Sequence, residues 1–233
     1  MESALRLVIA MISSVTNTSS PSAQSAAAMP AEMADQILAG SNAFRRLRDI
    51  LDAFYSGADL GAQHWTRVSR DTSSWRQPTK RLFGSAEAAT SLSPTVKPFG
   101  YGLYTSTPMT AGYSMWRLYL DPYYGSDLFP LPWYTWQLKS PAAARIVTID
   151  DARGWTRLVA SFPRIGDGWV YPDWARIASQ YDGVRLTFPA VIATQGIRFV
   201  TPHGPTAPGF WDVESTYWLR WSFTSAVLLT KTV

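Results

Sequence analysis

The sequence predicts an α+β domain, on three observations. Apolar residues recur at helical spacing over residues 30–55. From residue 64 onward, short β-like runs follow one another, separated by Pro, Gly and Ser. Two further helical patterns interrupt those runs as a block, which favours segregated helices and strands over alternating βαβ units. A chain of 233 residues suits one large domain, and 46% hydrophobic against 16% charged residues supplies a sizeable core.

The first elements are read as follows. Residues 7–15 are apolar and follow a weakly positive start in which Glu2 balances Arg6. That is the outline of a signal peptide, with small residues at 23–28 as its cleavage region. The weak charge favours a retained short helix and a cytoplasmic protein, with secretion as the alternative. No stretch reaches the roughly 18–20 apolar residues that span a bilayer, so no membrane partner is expected. Residues 16–28 are Ser/Ala-rich and aperiodic, the composition of a flexible linker. Met33, Ile37, Leu47, Leu51 and Phe54 then mark one broken helix or a helical pair, interrupted at Gly40 and Ser41. Residues 1–60 form an N-terminal helical region on this reading, and 61–233 the α+β domain. The linker also suggests a docking or self-inhibitory role for the helical region.

Strand patterns fall at 64–69, 81–83, 102–107, 114–120, 133–139 and 145–150, and again at 183–187, 197–201 and 211–223. Between the two groups, Trp155, Leu158, Val159 and Phe162 repeat at i, i+3, i+4 and i+7, as do Trp174, Ile177, Ala178 and Tyr181. Asp173, just after Pro172, suits a helix start because its charge opposes the helix dipole.

Composition narrows the chemistry. The absence of Cys removes disulfides, zinc–thiolate sites and a thiol nucleophile. With only His64 and His203, a His-rich metal site is not expected. Phosphate-cradling and dinucleotide glycine motifs are absent from the sequence, as is the Gly-x-Ser-x-Gly elbow. A carboxylate pair could be drawn from Asp150, Asp151, Asp173, Asp182, Asp212 and Glu214, and spacing alone does not choose among them. Net charge is +4, with Arg45, Arg46 and Arg48 as the tight cluster, read as a solvated helix face.

The more specific signal is Lys97-Pro-Phe-Gly-Tyr-Gly-Leu-Tyr-Thr-Ser-Thr107. A glycine-bracketed turn delivers a β run that ends in Thr105, Ser106 and Thr107. Gly100 and Gly102 permit close approach of a backbone to a ligand. In the late run, period-two alternation puts Asp212 and Glu214 on one strand face, an expensive place for carboxylates unless they are paired or face a cleft.

Phe99-Gly-x-Gly-Leu-Tyr104 resembles the Phe-Gly-x-Gly-Ile-Tyr strand of poly-ADP-ribose polymerases. Tyr104-x-Ser106-Thr107 is similar to the aromatic-x-Ser-Thr-Ser element of arginine- and toxin-type mono-ADP-ribosyltransferases, with Pro108 in place of the last Ser. Asp212-x-Glu214 resembles the acidic-x-Glu pair of the arginine-modifying subgroup. These families carry, in order, an Arg or His on an early strand, the hydroxyl-bearing strand and a Glu on a late strand, and the resemblance covers three such short elements within residues 67–219, with 64–70 as the early strand. It implies a split β-sheet core around an NAD cleft, with NAD as substrate and no metal. Glu214, Asp212 and Ser106 would be catalytic. Arg67 would contact the NAD phosphate or ribose, with Arg70 and Arg81 as alternatives. Gly102, Tyr104, Thr105, Thr107 and Tyr113 would complete the NAD site. A protein or nucleic-acid acceptor, or water, would take the ADP-ribose, and an inhibitory partner protein is a further expectation. The rival reading is a binding module for glycan or single-stranded nucleic acid. Its platform would be built from Trp133, Trp136, Trp169, Trp174, Trp211, Trp218 and Trp221.

Overall fold

Ser41 breaks the first helical stretch, and the break sets how the N-terminal part joins the rest. In a computed structural model, residues 27–68, 77–83, 95–98, 101–109, 112–209 and 211–233 are described. Helices α1 (Ala31–Gly40) and α2 (Asn42–Phe54) meet at Ser41, whose Oγ accepts the Phe44 N–H at 3.3 Å as an N-cap. Leu47, Leu51 and Phe54, at i, i+4 and i+7, bury one face of α2 in the main core. Arg45, Arg46 and Arg48 lie on its exposed face.

The α1 side chain of Asp35 accepts from the N–H groups of Ala152 and Arg153, at 2.9 and 3.2 Å. These open the helix Ala152–Ser161, whose own N-cap is Asp151. The N-terminal helices are therefore tied into the same core as the rest of the described chain.

The remaining elements run in order. They are β1 (Ala62–Arg67), β2 (Leu103–Thr105), α3 (Met115–Leu120), β3 (Trp133–Lys139), β4 (Ile146–Ile149), α4 (Ala152–Ser161), β5 (Pro163–Gly166) and β6 (Trp169–Pro172). Then come α5 (Trp174–Gln180), β7 (Gly183–Leu186), α6 (Phe188–Thr194), β8 (Phe199–Thr201), β9 (Gly204–Thr206), β10 (Ser215–Trp218) and β11 (Ser225–Thr232). This is a mixed α+β chain with six helices among the described residues.

Two sheets organise it, ordered β1–β3–β11 and β2–β10–β7–β4. Pairing is antiparallel except for β4 with β7, which the α4-to-α5 segment connects. The sheets meet where His64 of β1 and Ser106, just past β2, exchange backbone hydrogen bonds of 2.8 and 2.9 Å. One face of the second sheet, carrying Ile149, Val184, Leu186 and Tyr217, packs on α4, α5 and α6 through Trp155, Val159, Ile177, Phe188 and Val191. Leu103 and Trp218 on the other face join Leu138, Phe83 and Phe223 in a smaller cluster.

Several sequence expectations are corrected here. Within the 114–120 run, Met115–Leu120 form helix α3 instead of a strand, because Ser114 Oγ caps the Arg117 N–H and Met115 and Leu118 bury at i and i+3. Trp116 and Tyr119 stack at 5.1 Å along that helix. The 81–83 run is a 3₁₀ turn (Lys80–Phe83). The late strand contracts from 211–223 to β10. Two hairpins (β5–β6 and β8–β9), α6 and β11 add to the sequence reading. Residues 1–26, which include the apolar N-terminal segment read as a retained short helix and most of the 16–28 linker, lie outside the described residues, as do Arg70 and Gly100.

Candidate functional site

Strand register builds a polar row on the face of the second sheet that turns away from the helices. Thr105, Thr216, Arg185 and Thr148 are consecutive cross-strand partners on β2, β10, β7 and β4, so their side chains emerge together. Gln63 of β1 closes over this row. The Trp218 indole N–H donates to Thr105 Oγ1 at 2.8 Å, and Thr105 Oγ1 donates to Gln63 Oε1 at 2.6 Å. Gln63 Nε2 donates to Thr107 Oγ1 at 3.3 Å, and Thr107 Oγ1 donates to Glu214 Oε1 at 2.8 Å. Both sheets are thereby stitched by one buried hydrogen-bond chain ending on a carboxylate.

Glu214 directly precedes β10 and has no solvent-exposed surface. The Thr107 N–H donates to its Oε2 at 3.1 Å, and Arg185 Nε donates to its Oε1 at 2.9 Å. Burial pushes the Glu214 carboxyl above its ordinary range, and the Arg185 charge and the Thr107 bonds push back. The Tyr55 hydroxyl, after α2, lies near enough for the Glu214 charge to act on it. Burial, and then that charge, raise the Tyr55 pKa. The oxygen itself is buried and has no hydrogen-bond partner among the described residues.

A cavity of about 450 Å³ opens over the row, lined by Gln63, Lys139, Ser140, Thr148, Arg185, Thr216 and Trp218. That size lies within the range that small-molecule sites occupy. Glu214 is not on the wall. Arg185, with 13% of its side chain exposed, stands between the carboxylate and the space.

The structure separates the residues that the sequence grouped. Thr107 holds the Glu214 carboxylate, whereas Ser106 Oγ donates to the Glu214 backbone carbonyl at 2.9 Å. Thr105 is on the row. Tyr104 faces the other way, stacked on Tyr217 at 4.5 Å with its hydroxyl donated to the Pro98 carbonyl. Tyr113 is exposed, before α3.

Gly102, at φ +75°, makes a close approach to its own chain, which by itself accounts for a glycine there. A Cβ there would stand 2.5 Å from the Trp218 carbonyl oxygen and 2.6 Å from the Tyr217 ring. Arg67 lies three residues past His64, about 10 Å along β1 from the pairing with Ser106. The early-strand residue level with Ser106 is His64, and the cation that meets Glu214 is Arg185.

Asp212 departs from the shared-face expectation as well. The strand begins only at Ser215, and the Asp212 carboxylate interacts with Lys97, whose Nζ sits 4.6 Å from the Tyr104 ring centroid and 5.1 Å from that of Trp211. Burial raises the Asp212 pKa and lowers that of Lys97 to about 8, and each charge opposes the other's shift.

Other candidates are occupied structurally. Asp151 and Asp173 are N-caps, and Asp182 accepts the Arg145 N–H and pairs with Arg220. His203 sits in the β8–β9 turn. Trp133, Trp174, Trp211 and Trp218 are core side chains, which removes them from a surface aromatic platform. No group of three or more His, Cys, Asp or Glu side chains among the described residues could hold a metal ion. None of the helices among the described residues is long and apolar enough to cross a membrane.

Arg185, Gln63, Thr148, Thr216 and Tyr55 escaped the sequence reading. A signal for Arg185 existed. It alternates with Val184 and Leu186 in a strand whose apolar residues face the core, which aims it at the opposite face. No family model, curated protein or solved structure matches the chain.

Proposed function

We propose that the chain is an NAD-dependent ADP-ribosyltransferase or NAD glycohydrolase with a split-sheet core, acting at Glu214. The observation that carries this reading is spatial order. The three strands singled out by the resemblance, β1, β2 and β10, are neighbours across the junction of the two sheets. The late carboxylate lies against the hydroxyl-bearing segment, held by Thr107. A cavity of about 450 Å³ adjoins it.

In this proposal the C1′–N bond of the nicotinamide ribose breaks and its electron pair leaves with nicotinamide. Glu214 stabilises the positive charge developing at the ribose and accepts a hydrogen bond from a ribose hydroxyl. A lone pair of the acceptor, from water, a protein or a nucleic acid, forms the new bond to C1′ and the acceptor's proton is released. Arg185 stands between Glu214 and the cavity, so the ribose must pass the guanidinium to reach the carboxylate. Thr107 keeps the carboxylate in place meanwhile. Ser106 supports the Glu214 backbone, a positioning role. Asp212, on the other side of the chain from the row, takes no part in this step.

Incubation of the purified chain with NAD, alone and with protein and nucleic-acid acceptors, tests the reading. Release of free nicotinamide is expected. Its absence in every arm overturns the proposal.

A further inference from the structure

We infer that the cavity over the Thr216–Arg185–Thr148 row binds a phosphate-bearing ligand, anchored by the terminal amino groups of Arg185. A guanidinium carries five N–H donors in a planar fork. Arg185 uses its Nε on Glu214, a side-on contact, and its two terminal nitrogens have no partner among the described residues. They belong to a side chain only 13% exposed that forms part of the cavity wall. Neither nitrogen is among the buried atoms that lack a partner, so water in the cavity reaches the fork, and an oxyanion there is a stronger complement than that water.

The neighbours fit the same ligand. Thr216 and Thr148 flank Arg185 as its cross-strand partners, roughly 4.8 Å to either side. Both line the cavity, and neither hydroxyl makes a hydrogen bond among the described residues. A fork with a hydroxyl on each side offers donors in three directions, which suits the tetrahedral oxygens of a phosphate better than a planar carboxylate. At the rim, Lys139 adds a second cation, paired with Asp59 in an exposed contact that water and salt weaken. With Nε left on Glu214, the bound anion and the buried carboxylate share one guanidinium, so occupancy of the cavity acts directly on Glu214.

The inference uses the cavity invoked for NAD but requires no turnover. Inorganic phosphate, inorganic pyrophosphate and ADP-ribose are titrated calorimetrically into the full chain, with the Arg185 Nε–H followed by NMR. Pyrophosphate is expected to bind, more weakly as salt rises, and to shift the Arg185 resonance. Arg185→Lys, which keeps the charge and loses the fork, is expected to weaken binding about 10- to 100-fold. Thr148→Val, at an exposed position that leaves folding intact, is expected to weaken it about 3- to 10-fold. Tighter binding of ADP-ribose than of pyrophosphate identifies a nucleotide as the source of the phosphate. Equal binding identifies a free oxyanion.

Binding that neither variant changes, or no binding of any of the three probes, overturns the inference, even where NAD is consumed. Binding that both variants weaken, with no nicotinamide released from NAD, upholds it and removes the enzyme reading instead.

Discussion

Glu214 and Asp212 stand two residues apart and occupy opposite surroundings. Glu214 has no exposed surface, accepts hydrogen bonds from Thr107 and pairs with Arg185. Asp212 is partly exposed, makes no hydrogen bond among the described residues, and feels Lys97 across the Tyr104 and Trp211 rings. Period-two alternation unites them only within a continuous strand. Because β10 starts at Ser215, the backbone turns between the two, sending one carboxylate to the sheet junction and the other to an aromatic cluster. The largest expected contrast follows. Glu214→Gln removes the charge that would stabilise the ribose as nicotinamide leaves, and nicotinamide release should fall at least about 100-fold. Asp212→Asn should stay within about threefold, measured on the same assay. Equal losses in the two variants would restore the shared-face reading of the pair.

Thr107 is the next point of leverage, since it donates to Glu214 with both its backbone N–H and its hydroxyl. Thr107→Val keeps the shape and the N–H but breaks the hydrogen-bond chain from Gln63 to Glu214. The buried carboxylate loses one donor and the Gln63 amide keeps only the Leu60 carbonyl of its two acceptors, which costs about 1–3 kcal/mol in urea unfolding. Turnover should drop about tenfold as the carboxylate loosens. A variant as stable as the parent would show that Arg185 and the Thr107 N–H suffice to hold Glu214.

The aromatic side of the comparison is best probed by pH. Lys97 titrates at about 8 in the folded chain because burial disfavours its charge, below its ordinary 10.5. The folded state thus carries the full cost of the charged amine below pH 8. That cost fades as pH rises from about 8 to 10.5, so this group's contribution to stability grows across that window. Asp212 and Glu214 act in the other sense. Their raised folded values mean that each contributes less as pH climbs out of the ordinary carboxylate range. Asp212→Asn deletes the charge that holds Lys97 up, so the amine should titrate below 8. NMR of the ¹³C-methylated lysine reads this directly, and an unmoved midpoint would uncouple the two.

Much of the scaffold was legible because local signals and tertiary packing agree. Ser41 breaks the first helix where Gly40 and Ser41 interrupt the pattern, and β3 has the bounds its aromatic alternation implies. Asp173 caps α5 as its charge suggests. The failures have physical causes. Residues 114–120 carry β-favouring aromatics, yet the Ser114 cap and the burial of Met115 and Leu118 decide for helix. Helix α6 is apolar nearly all round, leaving no amphipathic period to detect. Strand β11 exposes Val227, Leu228 and Leu229 together and lacks the inside–outside alternation that marks a half-buried strand. At the candidate site, Glu214 and the hydroxyl run could be read from their order along the chain. Arg185 could not be assigned to Glu214, because the register between β7 and β10 sets that meeting and no local pattern encodes it.

The smallest effect belongs to Ser106, for which the family resemblance implied a catalytic role beside Glu214. Its Oγ donates to the Glu214 backbone carbonyl, and its alternation on the chain puts it opposite Thr105 and Thr107. Ser106→Ala removes that bond without touching the carboxylate's donors. One neutral hydrogen bond is worth about 0.5–1.5 kcal/mol net, and the backbone bonds to His64 still hold the strand junction. Unfolding should therefore shift by about 1 kcal/mol, while kcat and KM for NAD stay within about twofold of the parent. A loss of kcat matching that of the Thr107 variant would mean that the position of the Glu214 backbone, and with it the junction of the two sheets, governs the chemistry as strongly as the bonds to the carboxylate.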